Sequence, residues 1–365
     1  MKIAHINAGN EYGGGLAHII SLLKELKKDD VDLIVFEEGP VAKAARKENI
    51  PVYVFEQNNR FDIKVLYRLR HFIKEQGYTI LHTHGPRANT LIALLNPFIQ
   101  VYWVMTVHSH PLLDFKDRGI KGKLFETVHR LTFKKADGII TVSNEIKGVL
   151  QSFGVSSDRI KVIHNGIKFS ESVEPRSERH SKVFTLITVG RLNKIKGYST
   201  LMDVLKTVGF QEWQWIICGD GEEMESLQKL GRDYDLSRHL NFKGWLPSTE
   251  IKKEFHQADI FVLPSLSEGF PMILLEAADE KVPAIATDVG DVKEVIKDAS
   301  MGWLVPPKNN EKIKDALLQA YSLWEKKKLS EKGKNLHDWA IRFSIEQQAK
   351  EVKKFYMEII VKNRK

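Results

Sequence analysis

Short apolar runs alternate with longer amphipathic stretches from one end of the chain to the other. Runs of this kind, bounded by turn residues, read as buried strands, and the stretches between them read as covering helices. In the first half, strands are expected at 2–7, 31–36, 51–55, 79–83, 101–107, 138–142 and 160–163, with helices at 15–28, 62–76 and 121–136. Residues 169–182 then lose periodicity, turn polar and carry Pro175, which predicts a linker. The pattern restarts with strands expected at 183–189, 213–218, 239–242, 260–263, 283–286 and 303–305. It closes on helices at 310–326 and 344–361, separated by a turn at Lys326-Lys-Lys328. Strand–helix alternation on both sides of a linker predicts two α/β domains with parallel sheets. Ligands of such sheets sit beyond the carboxyl ends of the strands, and pockets favour domain interfaces.

Composition changes this picture little. The chain has 365 residues, enough for two domains with cores of their own, and 42% hydrophobic residues, an ordinary globular share. Its single cysteine, Cys218, lies in an apolar run, so no disulfide forms within the chain, as suits a reducing compartment. No charged leader precedes a long apolar core at the N-terminus, so no signal peptide is expected. The longest apolar run, residues 98–107, falls far short of the ~20 residues of a spanning helix. A cytoplasmic protein is expected, either soluble or peripheral at a membrane face. The net charge of +8 is compatible with nucleic acid, anionic lipid or phosphorylated ligands. No nucleic-acid-binding motif accompanies it.

The candidate chemistry falls just after expected strands. Ser265 to Ala278 follows the run Ile260–Leu263 and holds Gly269 for a turn and Pro271 at the first position of a helix. A helix start there would offer N–H groups and partial positive charge to a phosphate. Glu268 and Glu276 frame it, separated by about 12 Å of helical rise. That is too far for the pair of carboxylates, about 5–5.5 Å apart, of a retaining glycosidase. Two readings stand side by side: carboxylates gripping separate hydroxyl groups of one extended ligand, or a solvated turn acid and a helix acid paired with a lysine.

Other stretches carry weaker signals. Gly13-Gly-Gly15, after the first strand, suits close approach of a ligand, yet matches neither the dinucleotide fingerprint nor a P-loop. A plain flexible turn explains it equally. His82 and His84, and His108 and His110, end two strands. No acidic or cysteine partner stands at metal-ligand spacing, so sugar or phosphate contact, best placed at His108, is weighed against satisfied strand-end histidines, the reading that best suits His82. Arg191 and Lys196, bracketed by Gly190 and Gly197, could neutralise a diphosphate or be surface charge. The basic, apolar-interleaved segment 115–135 could lie on anionic lipid or be an ordinary surface helix. No nucleophile elbow and no Cys–His pair is present, which leaves positioning and electrostatics as the means of catalysis.

Taken together these stretches resemble the GT-B glycosyltransferases, specifically the retaining GT4 family (glycosyl transferases group 1). The E-x7-E pattern Glu268–Glu276, the run Gly190-Arg191-Leu ahead of Lys196-Gly197, Val-Ile-His-Asn165-Gly-Ile and Gly219-Asp-Gly221 stand in the family's order along nearly the whole chain. The resemblance implies two Rossmann-like domains facing a cleft, 1–168 on the acceptor side and 183–342 for the nucleotide sugar. Residues 343–365 would form a helix returning to the first domain. It implies that Arg191 and Lys196 bind the donor diphosphate, Glu276 the ribose and Glu268 the donor sugar, with Gly269 and Phe270 offering amides. Gly14 and Gly15 would face the diphosphate, and His108 would stand beside the transferred sugar. It further implies front-face displacement with retention and neither metal nor cofactor. The donor would be a nucleotide sugar, most commonly a UDP-sugar. The acceptor would be a lipid-linked saccharide of a cell-surface polysaccharide, or a small soluble acceptor. Where many relatives have Gly-Leu this chain has Pro271-Met272. Two competing readings are a non-catalytic partner subunit of the same fold, opposed by the intact Arg191, Lys196, Glu268 and Glu276, and a nicotinamide oxidoreductase, opposed by the missing fingerprint.

Overall fold

The computed structural model describes residues 1–27, 30–57, 62, 64–112, 127–171 and 182–362. They divide into two compact units, Met1–Lys168 with Ile345–Lys365, and Phe169–Ser344. The stretch expected as a linker falls largely on residues outside those described, as does the first part of the basic segment 115–135.

In the first unit the strands β1 (Lys2–Asn7), β2 (Asp30–Val35), β3 (Val52–Val54), β4 (Ile80–His84), β5 (Tyr102–Val107), β6 (Gly138–Thr141) and β7 (Ile160–Val162) form one parallel sheet, in the order β3-β2-β1-β4-β5-β6-β7. Chain order reverses between β1 and β4, the point where such sheets bind ligands. On one face Ile3, Ile80 and Val104 are apolar core, and the strands turn polar towards their carboxyl ends at His5, His82, His84 and Thr106. The helix Gly13–Leu26 buries His18, Ile19, Leu22, Leu23 and Leu26, a single stripe. Its start is earlier than the sequence pattern predicts, so Gly13 to Gly15 form the first helical turn rather than a loop. The chain returns at its end: the helix Ile345–Lys362 sends Val352, Phe355, Tyr356, Ile359 and Ile360 into this core. Gly138 makes room for it, since a Cβ there would lie 2.3 Å from Cδ1 of Ile359.

In the second unit β8 (Phe184–Val189), β9 (Trp213–Cys218), β10 (Leu240–Gly244), β11 (Ile260–Leu263), β12 (Ala284–Thr287) and β13 (Gly302–Val305) form a parallel sheet in the order β10-β9-β8-β11-β12-β13. Phe184, Trp215, Tyr198 and Leu317 lie at the centre of its core. Here the reversal falls between β8 and β11. The helix Leu329–Ala340, unforeseen in the sequence pattern, packs so closely that a Cβ on Gly333 would stand 1.9 Å from the Lys281 carbonyl. Cys218 is buried in β9, and burial pushes its thiol up to about 12, which leaves it inert. Among the described residues no helix is long and apolar enough to cross a membrane.

Candidate active site

In the second unit the loops after β8 and β11 flank the reversal and lock together. Leu266 N–H donates to the Ile195 carbonyl at 2.6 Å. Gly197 has φ +67°, and a Cβ on it would stand 2.1 Å from the Pro264 carbonyl, so any side chain would prise the loops apart. Asn193 Oδ1 accepts the Lys196 N–H at 3.2 Å and caps the short turn Lys194–Lys196. These contacts aim Lys196 at the neighbouring loop. Its Nζ lies 2.6 Å from Oε1 of Glu268, and Ser265 Oγ donates to the same oxygen at 2.6 Å. The ion pair is largely sheltered, with side-chain exposures of 23% and 10%. Gly290, at φ +56°, holds the loop from behind, because a Cβ there would lie 2.4 Å from the carbonyls of both Glu268 and Gly269. Asp291 N–H donates to the Gly269 carbonyl at 3.1 Å.

The helix after this loop runs Met272–Asp279, one residue later than the sequence pattern predicts, and Pro271 is its cap rather than its first residue. Pro271 has no N–H to offer, and its carbonyl accepts from Leu274 N–H at 3.1 Å. Phe270 turns its ring inward to Phe343, centroids 5.0 Å apart, leaving only its backbone for a ligand. Glu276, half-buried, makes no side-chain hydrogen bond or ion pair among the described residues. Burial first, and Asp279 second, push its carboxyl up to about 7. Arg191 is exposed, and its Nε and Nη2 each lie 3.2 Å from Oε2 of Glu222, a partner the sequence pattern did not single out. Thus Lys196 and Glu268 meet directly, whereas Arg191 is held to Glu222.

In the first unit the carboxyl ends of the strands bring histidines together. Parallel register pairs His5 with His82 and Asn7 with His84 across β1 and β4. His5 Nδ1 lies 2.9 Å from His84 Nε2, and His84 Nδ1 lies 3.2 Å from His108 Nε2. His82 Nδ1 is 2.5 Å from the Tyr356 hydroxyl and its Nε2 is 2.6 Å from Thr106 Oγ1, so His82 is indeed a satisfied strand-end histidine. The Tyr356 hydroxyl also stands 3.3 Å from His5 Nε2. Burial pushes His5 down to about 3 and His108 to about 4, and holds His18, His82 and His84 well below the usual range, so all five are neutral. Two triplets, His5 with His82 and His84, and His18 with His84 and His108, each bring three imidazole nitrogens within 4.8 Å. Every nitrogen of His5, His82 and His84 is already hydrogen-bonded inside the cluster, which makes it a network rather than an open coordination site.

His18 sits on the first helix beside His108, ring centroids 4.6 Å apart. Gln348 Oε1 accepts from Gly166 N–H at 2.9 Å, which turns the Gln348 amide nitrogen to His18 Nδ1 at 3.5 Å. The His18 proton therefore rides on Nε2, a buried nitrogen without a partner among the described residues. Gly14 is exposed, and a Cβ on it would meet nothing, whereas one on Gly15 would strike Oε2 of Glu11 at 2.6 Å. Asn7 Nδ2 donates to the other Glu11 oxygen at 2.9 Å, and burial, the larger effect, pushes this carboxyl up. Spacing alone could not assign His5, Glu11, His18 or Tyr356 to one neighbourhood, because sheet register and a distant helix bring them together.

Comparison with known proteins fits this geometry. The family model Glycosyltransferase Family 4 matches residues 12–171, and Glycosyl transferases group 1 matches residues 170–336. An uncharacterized glycosyltransferase of Methanocaldococcus jannaschii is 26% identical, over 98% of this chain and 99% of its own. The UDP-Gal:alpha-D-GlcNAc-diphosphoundecaprenol alpha-1,3-galactosyltransferase of Escherichia coli is 26% identical, over 91% and 90%. The crystal structure of Anabaena HepE in complex with UDP superposes with a TM-score of 0.84 at 18% identity, covering 98% of this chain and 100% of that one. Two Rossmann-like sheets, each with loops converging at its strand-order reversal and together spanned by the two family models, place the chain among the GT-B glycosyltransferases of group 1, the GT4-like kind.

Proposed function

We propose that the protein moves a sugar from a nucleotide sugar, a UDP-sugar, to a lipid-linked saccharide with retention of anomeric configuration, in the synthesis of a cell-surface polysaccharide. The observation that carries this reading is the sheltered Lys196–Glu268–Ser265 cluster at the strand-order reversal of the second unit. A partly exposed ammonium held by a carboxylate can neutralise the charge of a diphosphate, while the carboxylate accepts from sugar hydroxyls. The similar E. coli enzyme acts, by its name, with a UDP-sugar on a diphosphoundecaprenol-linked sugar.

In the reaction the bond from the anomeric carbon to the diphosphate oxygen breaks, and a bond from the acceptor oxygen to that carbon forms on the same face. The acceptor proton passes to the departing phosphate. Lys196 and Arg191 stabilise the charge that develops there, with the N–H groups of Gly14, Gly15, Gly269 and Phe270. Arg191 leaves Glu222 to do so, which costs little because that pair is exposed. Glu276 accepts from the ribose hydroxyls and Glu268 from the donor sugar, beside which His108 stands. These cations and helix starts do what a metal ion does elsewhere, so turnover should survive chelation.

The decisive experiment incubates a panel of nucleotide sugars with undecaprenyl-diphosphate-linked saccharides and follows nucleotide release and product anomer by NMR. Retention with a UDP-sugar, unchanged by EDTA and lost in Arg191→Ala, is the expected result. An inverted product, or binding of no nucleotide sugar in a thermal-shift panel, would overturn the reading. Co-sedimentation with anionic vesicles at low and high salt tests the companion proposal of work at the inner membrane face.

A further inference from the structure

The buried groups Thr106, His82, Tyr356, His5 and His84 and the half-buried His108 form one unbranched chain of hydrogen bonds, with links of 2.6, 2.5, 3.3, 2.9 and 3.2 Å. His5, His82 and His84 are wholly buried and Thr106 is 3% exposed. A neutral imidazole has one donor and one acceptor nitrogen, and the buried Tyr356 hydroxyl must give its single proton to one of its two partners, so the sense of any one link fixes all the others. Two senses exist, one the mirror of the other. We infer that the chain runs outward from Thr106 and holds His108 as its Nδ1–H tautomer, a hydrogen-bond donor at that nitrogen and not a base.

The end of the chain decides its sense. Thr106 Oγ1 has one partner among the described residues, His82 Nε2. If the hydroxyl accepted from His82, its own O–H would be stranded in the core. If it donates, only spare lone pairs go unused, and an orphaned acceptor is more readily tolerated than an orphaned donor. Thr106 therefore donates to His82 Nε2. His82 Nδ1–H then donates to Tyr356, Tyr356 O–H to His5 Nε2, His5 Nδ1–H to His84 Nε2, and His84 Nδ1–H to His108 Nε2. The proton of His108 is left on Nδ1. Burial supports the premise that every member stays neutral, since it holds the four imidazoles down and the Tyr356 phenol up.

The chemical consequence rests on the proposed function, in which His108 stands beside the sugar. There it donates a hydrogen bond to a sugar or phosphate oxygen and cannot take the acceptor's proton through the same nitrogen. Thr106, His82, Tyr356, His5 and His84 act through His108, as positioning residues.

The test is a two-bond 1H–15N correlation spectrum of the full chain labelled with 15N-histidine, near pH 7.5, with His108 assigned by its loss in His108→Asn. A protonated, pyrrole-type Nδ1 and a bare Nε2 at His108 are expected. A protonated Nε2 there overturns the inference, as does stoichiometric Zn2+ uptake that displaces the four ring signals together, which would make the cluster a metal site. His84→Phe, which removes the donor at His108 Nε2, should shift His108 towards its Nε2–H form, and Thr106→Ser should not. If His84→Phe does not fold, the wild-type spectrum decides alone. For activity, His108→Asn, which keeps an amide donor near the Nδ1 position, should turn over about tenfold faster than acceptor-only His108→Asp. Equal and undiminished activity in both, with the expected spectrum, would sink the placement of His108 beside the sugar and leave the chain of bonds standing.

Discussion

Two polar clusters occupy equivalent places at the strand-order reversals of two similar sheets, and they are built on opposite principles. The cluster of the second unit is charged: Lys196 and Glu268 share one short contact, and Ser265 steadies the carboxylate. The cluster of the first unit is neutral: burial has stripped charge from its histidines and linked them through their tautomers. A charged pair can be redistributed when a ligand brings charge of its own. A neutral network can be ordered in space yet carries no countercharge. On the proposed function, the charge of the ligand falls to the second unit and hydrogen-bond direction to the first.

Acid should separate the two clusters most forcefully. Burial depresses His5, His18, His82, His84, His108 and His129 below the ordinary value of 6.5, and all lie in the first unit. The folded state holds these rings neutral while the unfolded chain protonates them. Their stability is thus complete above about pH 6.5 and is lost as pH falls below it, by about 1.4 kcal/mol per pH unit for each ring. Calorimetry between pH 7.5 and 5 should show the transition of the first unit falling steeply and parting from that of the second. Parallel shifts of both would break the comparison.

Next in size is Lys196→Ala. Removing the cation leaves Glu268 unpaired and the leaving group unneutralised, and turnover should drop on the order of 10³-fold. Steady-state kinetics on the donor found in the panel checks this; a loss under tenfold would show that the pair only braces the loops.

Glu276 should give a smaller, pH-shaped effect. Its carboxyl is raised to about 7 by burial and must ionise to accept from two hydroxyls. Nucleotide affinity measured by calorimetry should rise about tenfold as pH goes from 6 to 8, because each unit below the shifted value costs a factor of ten in ionised fraction. Glu276→Gln should bind weakly and without that slope; a slope kept in the variant assigns it to another group.

The smallest effect belongs to Glu222→Gln. Arg191 and Glu222 are both exposed, so their pair adds little to the fold, and the melting temperature should not move. UDP affinity should be unchanged or slightly higher, as Arg191 is freed.

Most strands were legible because they are apolar runs closed by turn residues, and the central strands of a parallel sheet, buried on both faces, need no finer pattern; the edge strand β10, Leu240–Gly244, is the mixed exception. The helix Leu329–Ala340 is faint in the sequence because its buried stripe, Leu329, Gly333, Leu336, His337 and Ala340, holds only two large apolar residues beside a glycine and a histidine. In the second unit, Lys196 and Glu268 could each be picked out by their neighbours in sequence. Their 2.6 Å contact could not, since it depends on β8 and β11 being adjacent across 72 residues. In the first unit His108 was legible at a strand end, but His5 looks like any strand residue, and Tyr356 lies 351 residues from it.

The helix Ile345–Lys362 also sets a timetable. Its side chains complete a core whose sheet was made by the first 168 residues. A ribosome extending the chain at about 5–20 residues per second needs on the order of ten to forty seconds to deliver that cover. During translation the earlier half must wait with an apolar face bare, so the later unit is free to mature first although it is synthesised second.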